Sequence, residues 1–246
     1  VITEKIGLLS VINKNFINQI EKISILFVCI IFILHFYYQK QLLNHIDLIP
    51  LNLYFCLSIL ISLHALLTSK FISLFLMSVL WYFLFLVNPF ITYISFLPTS
   101  LFLMMISLHK LDIDFFYKKI IFKSFLIYMS AHYFLSALVK VLNENWASGM
   151  ALQKILSTDA GRDYTKFLAV NYPQPLFILT FLTILVEFLG IFLLHRKTRT
   201  WVLIMLFLLH LGIAISMKLL QLTIPYFLIL SWIYFYDHRE NRVRYD

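Results

Sequence analysis

The chain has 246 residues, 61% of them hydrophobic, 17% aromatic and 13% charged, with a formal net charge of +8. An ordinary soluble domain carries roughly 25% charged residues, so the polar coat of a soluble globular enzyme is missing, and the same composition excludes disorder, collagen and coiled coil. Apolar runs recur that are too long for the roughly 9–11-residue strands of a membrane barrel. They predict an all-α, polytopic integral membrane helical bundle, one domain over 1–246. The basic excess then reads as membrane-flanking Lys and Arg rather than as a nucleic-acid surface.

In chain order, Val1 to Lys22 is polar, but Ile2, Ile6, Leu9, Ile12, Phe16 and Ile20 recur at helical spacing. That pattern fits an interfacial helix or a solvated leader. Eight spans follow, near 23–38, 51–67, 71–88, 92–108, 121–142, 176–194, 201–217 and 222–236. Cys29 and Cys56 lie inside apolar runs and read as two buried thiols, with no disulfide indicated. Pro50 precedes the second span, Asn88-Pro89 ends the third, and Pro173 and Pro175 precede the sixth, where a missing N–H costs nothing. The last two spans are joined tightly around Pro225 and read as two crossings or as a helical hairpin.

Topology follows from the basic residues. With the N-terminus in the cytoplasm, the outside and membrane segments hold Lys40, Lys140, Lys154, Arg162, Lys166 and Lys218, six of the 20 Lys and Arg, leaving 14 inside. His195-Arg196-Lys197-Thr198-Arg199 has no acid to offset it and is a cytoplasmic anchor. The expectation is N-in, C-in. The longest outside connection is then 143–175, with short helices at 150–156 and about 161–170 and an interfacial aromatic at Trp146. Gly149 permits a tight turn or a positive φ.

Ionisable groups inside spans cost about 2.5–3.5 kcal/mol at the centre on insertion scales and so draw attention first. They are His35, His64, His132, Lys140, Glu187, His210 and, at a span end, Lys218. Ser124, Tyr128, His132, Ser136 and Lys140 recur every four residues as a slowly winding polar ridge that must face helices or water. Two readings of Lys140 stand. In one it is a base, because desolvation favours the neutral amine, with His132 as its partner. In the other it snorkels to the headgroups while His132 bonds between helices. Thr180, Thr183 and Glu187 share one face of the sixth span. Glu187 and His210 are expected to pair, as a structural clamp or as part of a cavity for a ligand head group. His35 and His64 read as ordinary interhelical histidines. No phosphate loop, zinc-ligand spacing or serine elbow is present, so no metal is assigned. A lone intramembrane acid argues against a small transporter.

The stretch His132-Tyr133-Phe134-Leu135-Ser136-Ala137-Leu138-Val139-Lys140, followed by Trp146 and Gly149-Met150-Ala151, resembles the signature of the vitamin K-dependent γ-carboxylase-like, or HTTM, membrane domain. In that family a Tyr-Phe-containing helix leads to a Lys. A Trp and a Gly with a small residue follow, then a helix carrying a Glu, a basic turn and a helix carrying a His. Glu187, Arg196 to Arg199, and His210 arrive here in that order. The resemblance covers about 120–236. It implies a Lys base acting on a reduced, vitamin K hydroquinone-like quinone, with Lys140 as that base; His132, its partner on the ridge, is the second catalytic candidate. Tyr128, Ser136, Trp146, Glu187 and His210 then line the substrate or quinone pocket. In some carboxylases the Lys sits one residue nearer the Trp, where this chain has Val141. The true carboxylases also carry a large soluble region after the membrane domain, whereas here His238 to Asp246 follows the last span.

By size and architecture the chain is also similar to small bacterial sporulation-delaying-protein-B-like factors, which help mature a secreted peptide. The expected function is therefore a maturation factor or subunit acting with a partner protein or secreted peptide at the outer membrane face. The alternative is a quinone-linked, γ-carboxylase-like enzyme, and the second alternative is a small transporter. Many Ile, Phe, Asn, Lys and Tyr residues suggest AT-rich coding and a bacterial inner membrane.

Overall fold

The computed structural model describes residues 72–79, 96–218 and 220–242, with isolated positions between 19 and 68. Most of 1–22 and of the first two spans, with Cys29, His35 and Cys56, lie outside the described residues. The described elements are all helical. After the helical stretch 72–79 come α1 (Phe96–His109), α2 (Phe115–Leu142), α3 (Glu144–Ala147), α4 (Ala151–Ser157), α5 (Asp163–Asn171), α6 (Pro173–Leu189), a 3₁₀ helix (Gly190–Leu194), α7 (Arg196–Ser216) and α8 (Leu220–Arg242). Among the described residues no strand forms, and one isolated bridge joins Gly161 to Met217.

Three helical segments are long and apolar enough to cross a membrane: Phe115–Leu142, Pro173–Leu194 and Arg196–Ser216. At about 1.5 Å per residue even the shortest reaches about 30 Å, the thickness of a bilayer core. The protein itself covers only 33%, 44% and 33% of their apolar windows, so most of that surface needs an apolar surrounding. The span read at 121–142 starts earlier, at Phe115, because the Asp114 carbonyl accepts from the N–H groups of Tyr117 and Lys118 and opens the helix there. Pro173 and Pro175 both fall in the first turn of α6, where their missing donors are not needed. Pro225 lies inside α8 rather than at the turn before it. The connection between the last two helices therefore falls before Leu220, and α8 tolerates the loss of one N–H donor.

The chain divides into two compact units, residues 1–121 with 231–246, and residues 122–230. In the first, Ser78 Oγ donates to the Ser100 carbonyl at 2.9 Å, joining the 72–79 helix to α1. Trp232 meets Phe102 edge-on at 5.8 Å and stacks on Tyr236 at 4.7 Å, one turn along its own helix. His64 shares a 2.6 Å hydrogen bond with Ser73, a local pairing of the ordinary kind.

In the second unit, the three short helices between α2 and α6 fold onto the helix ends. The last four carbonyls of α7 have no partner within the helix, and each finds one. The Met217 N–H bonds Ile213, Arg162 Nη2 bonds Ala214 at 3.4 Å, and the Tyr164 hydroxyl bonds Ile215. Ser216 receives the Arg162 N–H at 3.2 Å and lies 2.8 Å from the Thr165 hydroxyl. The Arg162 charge also suits the negative end of the helix dipole. Leu156, Ala169, Leu176 and Met217 form the apolar cluster beneath. Removing the one donor with Thr165→Val keeps the shape of this buried side chain. It is expected to cost about 1 kcal/mol and to raise amide exchange in the last turn of α7. Unchanged exchange there would show that the Arg162 contacts suffice.

The basic turn is used in a similar way. Arg199 is buried, and its Nε donates to the Leu193 carbonyl at 2.7 Å, closing the end of the 3₁₀ helix. It is thus a helix cap as well as one of the basic residues of that turn. Lys218, read as lying at a span end, sits in the exposed connection after α7. On the same side of the unit, Lys166 donates to Asp159 at 2.9 Å and holds that carboxyl below the ordinary carboxylate range.

Candidate functional site in the span helices

The polar ridge of α2 meets two separate sets of partners. At its end, Lys140 Nζ donates to both carboxylate oxygens of Glu187, at 2.8 and 2.7 Å, and to Ser136 Oγ at 2.8 Å. An ammonium has three donors, and all three are used. Trp146, on α3, lies with its ring centre 5.2 Å from the same nitrogen, within cation–π range. The pair is mostly covered, with side-chain exposures of 18% for Lys140 and 10% for Glu187. Val141, the alternative position in the family pattern, is exposed on another side of the helix.

Local structure explains how Trp146 arrives there. Asn143 caps α3, its side chain accepting from the Asn145 N–H at 3.1 Å. The chain then turns at Gly149, whose φ is 77°. A side chain at Gly149 would also run into the Phe177 ring of α6. The glycine therefore serves twice, in the turn and in the close approach that brings α3 beside Lys140.

One turn and more below, a second cluster is made of rings. His132 Nε2 and the Tyr226 hydroxyl share a 2.8 Å hydrogen bond, and Tyr133 and His210 share one of 3.0 Å. Tyr226 stacks on His210 at 4.1 Å with the planes 11° apart. Tyr128 stacks on His132 at 6.0 Å. The buried Tyr128 hydroxyl has no hydrogen-bond partner among the described residues. Ser124, the first member of the ridge, stays exposed.

The expected Glu187–His210 pair does not form; Glu187 goes to Lys140 and His210 to Tyr133. On α2, Lys140 lies about two turns beyond Tyr133, so the two helices that carry Glu187 and His210 meet it at separate levels. An ammonium is also a stronger partner for a buried carboxylate than a neutral imidazole. His132 likewise pairs with Tyr226 rather than with Lys140. Tyr226 and Tyr133 complete the ring cluster, yet neither stood out as a site residue, since nothing in a sequence ties positions 94 or 77 residues apart. Thr180 spends its hydroxyl on the Leu176 carbonyl within α6 and accepts the Leu152 N–H at 3.4 Å.

Chemically, the upper cluster is an ion pair under an aromatic cover, and the lower one is a set of hydrogen-bonded, stacked rings. Among the described residues, no three His, Cys, Asp or Glu side chains gather as a metal site. No protein-family model, curated protein or solved structure matches the chain.

Proposed function

We propose that this chain is an HTTM-like integral membrane protein of eight spans, N-in and C-in, in a bacterial inner membrane. It acts as a maturation factor or subunit with a partner protein or secreted peptide at the outer membrane face. The observation that carries this reading is the self-sufficiency of the polar groups. Lys140 is bonded to Ser136 and Glu187, Tyr133 to His210, and His132 to Tyr226. Polar groups that satisfy one another inside a bundle fix its geometry without any bound substrate. The ordered set Lys140, Trp146, Glu187, basic turn and His210 supports the family reading.

One observation favours the second reading, a quinone-linked carboxylase-like enzyme. The buried hydroxyl of Tyr128 is unmatched among the described residues, and it stands beside His132. A quinone carbonyl could accept from it, whereas Lys140 has no donor to spare. A quinone bound there would supply redox chemistry. Within the chain, Glu187 is placed to take the Lys140 proton across 2.7 Å, leaving a neutral amine.

The test is a mild-detergent purification of the wild type and the Lys140→Met/Glu187→Leu double variant from cells, read by mass spectrometry for partner proteins and quinone together. A stoichiometric protein or peptide retained by both, with no quinone, is the expected result. Quinone that co-purifies with the wild type and disappears in the double variant would replace the first reading with the second.

A further inference from the structure

The short helix α5 has an apolar surface that neither the bundle nor the Lys140 site uses. Thr165 and Ala169, one turn apart, are buried and form its inner edge. Around the rest of the helix and its cap, Tyr164 is 51% exposed, Phe167 60%, Leu168 44%, Val170 70% and Tyr172 58%. Phe167 lies opposite the buried edge. So many large apolar side chains on so short a helix call for a cover.

The position of α5 says what that cover is. Its depth is fixed twice. Along the chain, Tyr172 alone separates it from Pro173, the first residue of α6. Across the fold, Arg162, Tyr164 and Thr165 hold the final carbonyls of α7. Both are ends of helices long enough to cross a membrane, on the side away from the basic turn at 195–199. The exposed face also continues into that of α6, where Phe177 and Ile178 are open.

We propose that α5 lies flat in the bilayer interface, with Phe167, Val170 and their neighbours in lipid. Helices of this kind bind by apolar area, by attraction to anionic headgroups, or by both. Here the charges are spent locally. Lys166 pairs with Asp159 at 2.9 Å, and Lys218 approaches Asp163 at 3.9 Å. Arg162 reaches toward the end of α7. Apolar contact is therefore the driving force, and a neutral phosphatidylcholine surface suffices. The two tyrosines, Tyr164 and Tyr172, sit at either end of the helix as interfacial aromatics do.

This inference rests on the membrane-spanning reading, and spin-label accessibility separates the two. The full chain, with Cys29→Ser and Cys56→Ser, is reconstituted in phosphatidylcholine vesicles. Labels are placed singly at Phe167→Cys, Val170→Cys, Asp159→Cys and Leu182→Cys. The first two are expected to collide more often with oxygen than with a water-soluble nickel chelate, as Leu182→Cys on α6 does. Asp159→Cys shows the reverse, and added salt leaves every ratio unchanged. If the labels at 167 and 170 follow Asp159→Cys while Leu182→Cys still reports lipid, the proposal falls alone. Labels at 167 and 170 shielded from both reagents also overturn it, giving the face to a protein or a second copy. A Leu182→Cys label that reports water overturns the spanning reading beneath it.

Discussion

Lys140→Met alone and Glu187→Leu alone are each expected to destabilise the bundle severely, while the double variant is expected to recover most of the loss. Each single change strands a charge that the fold has taken out of water, at a cost of about 3–5 kcal/mol for a fully buried pair. The lower end applies here, because Lys140 keeps 18% exposure and Ser136 and Trp146 remain beside it. The double variant removes both charges and fills their volume with apolar groups, which is often neutral or stabilising. Thermal unfolding in detergent, with the four forms compared as a cycle, gives the coupling directly. A double variant as unstable as the singles would show that the pair is not the source of the effect. A stable double variant that no longer retains the partner protein would give the pair a role in function beyond holding α2 against α6.

The second large effect is expected at Gly190, with the opposite sign at Gly212. Gly190 is where α6 tightens into the 3₁₀ helix, and its carbonyl accepts from Ser130 Oγ at 3.0 Å. A Cβ there would stand 2.5 Å from the Tyr133 Cβ and 3.2 Å from its ring. Tyr133 cannot retreat easily. It is buried, and its hydroxyl is tied to His210. Gly190→Ala is therefore expected to cost about 1–3 kcal/mol as an overpacked contact. Gly212 lies inside α7, and a methyl group added there would meet nothing within 4 Å. Gly212→Ala should therefore stabilise by about 0.5–1 kcal/mol through backbone entropy. Melting temperatures of the two variants moving in the same direction would contradict this account of the α2–α6 crossing.

Composition and run length were enough to read the helical class, because an apolar chain with so few charges has few other ways to satisfy its backbone. Element ends were less legible. The start of α2 at Phe115 depends on the Asp114 carbonyl, and Pro225 reads as a breaker until a helix is seen to carry it. The ridge on α2 followed from a spacing of four, and the structure brings Ser136 and Lys140 together in just that way. What a ridge cannot reveal is its partners. Glu187 and His210 were both visible as costly groups in spans, but which α2 side chain each would meet depends on how the helices cross, which no single helix records. Tyr226 and Arg199 were hidden for a different reason. A tyrosine and an arginine near helix ends look like interfacial residues, and only the fold turns them inward.

The closure of α7 by residues 162–165 has a consequence for how the protein is made. A chain emerges from its N-terminal side first, so the cap is synthesised some fifty residues before the helix end it will cap, as the 52-residue separation of Arg162 and Ala214 measures. The receptor is waiting when the final turn of α7 appears. Bare carbonyls at the edge of an apolar phase are costly, and here their exposure is kept brief by the order of translation. Reversing that order, by circular permutation that places α7 ahead of α5, would leave the same contacts in the finished fold but expose the helix end throughout synthesis. The yield of inserted protein should then fall without a matching fall in the stability of the molecules that succeed.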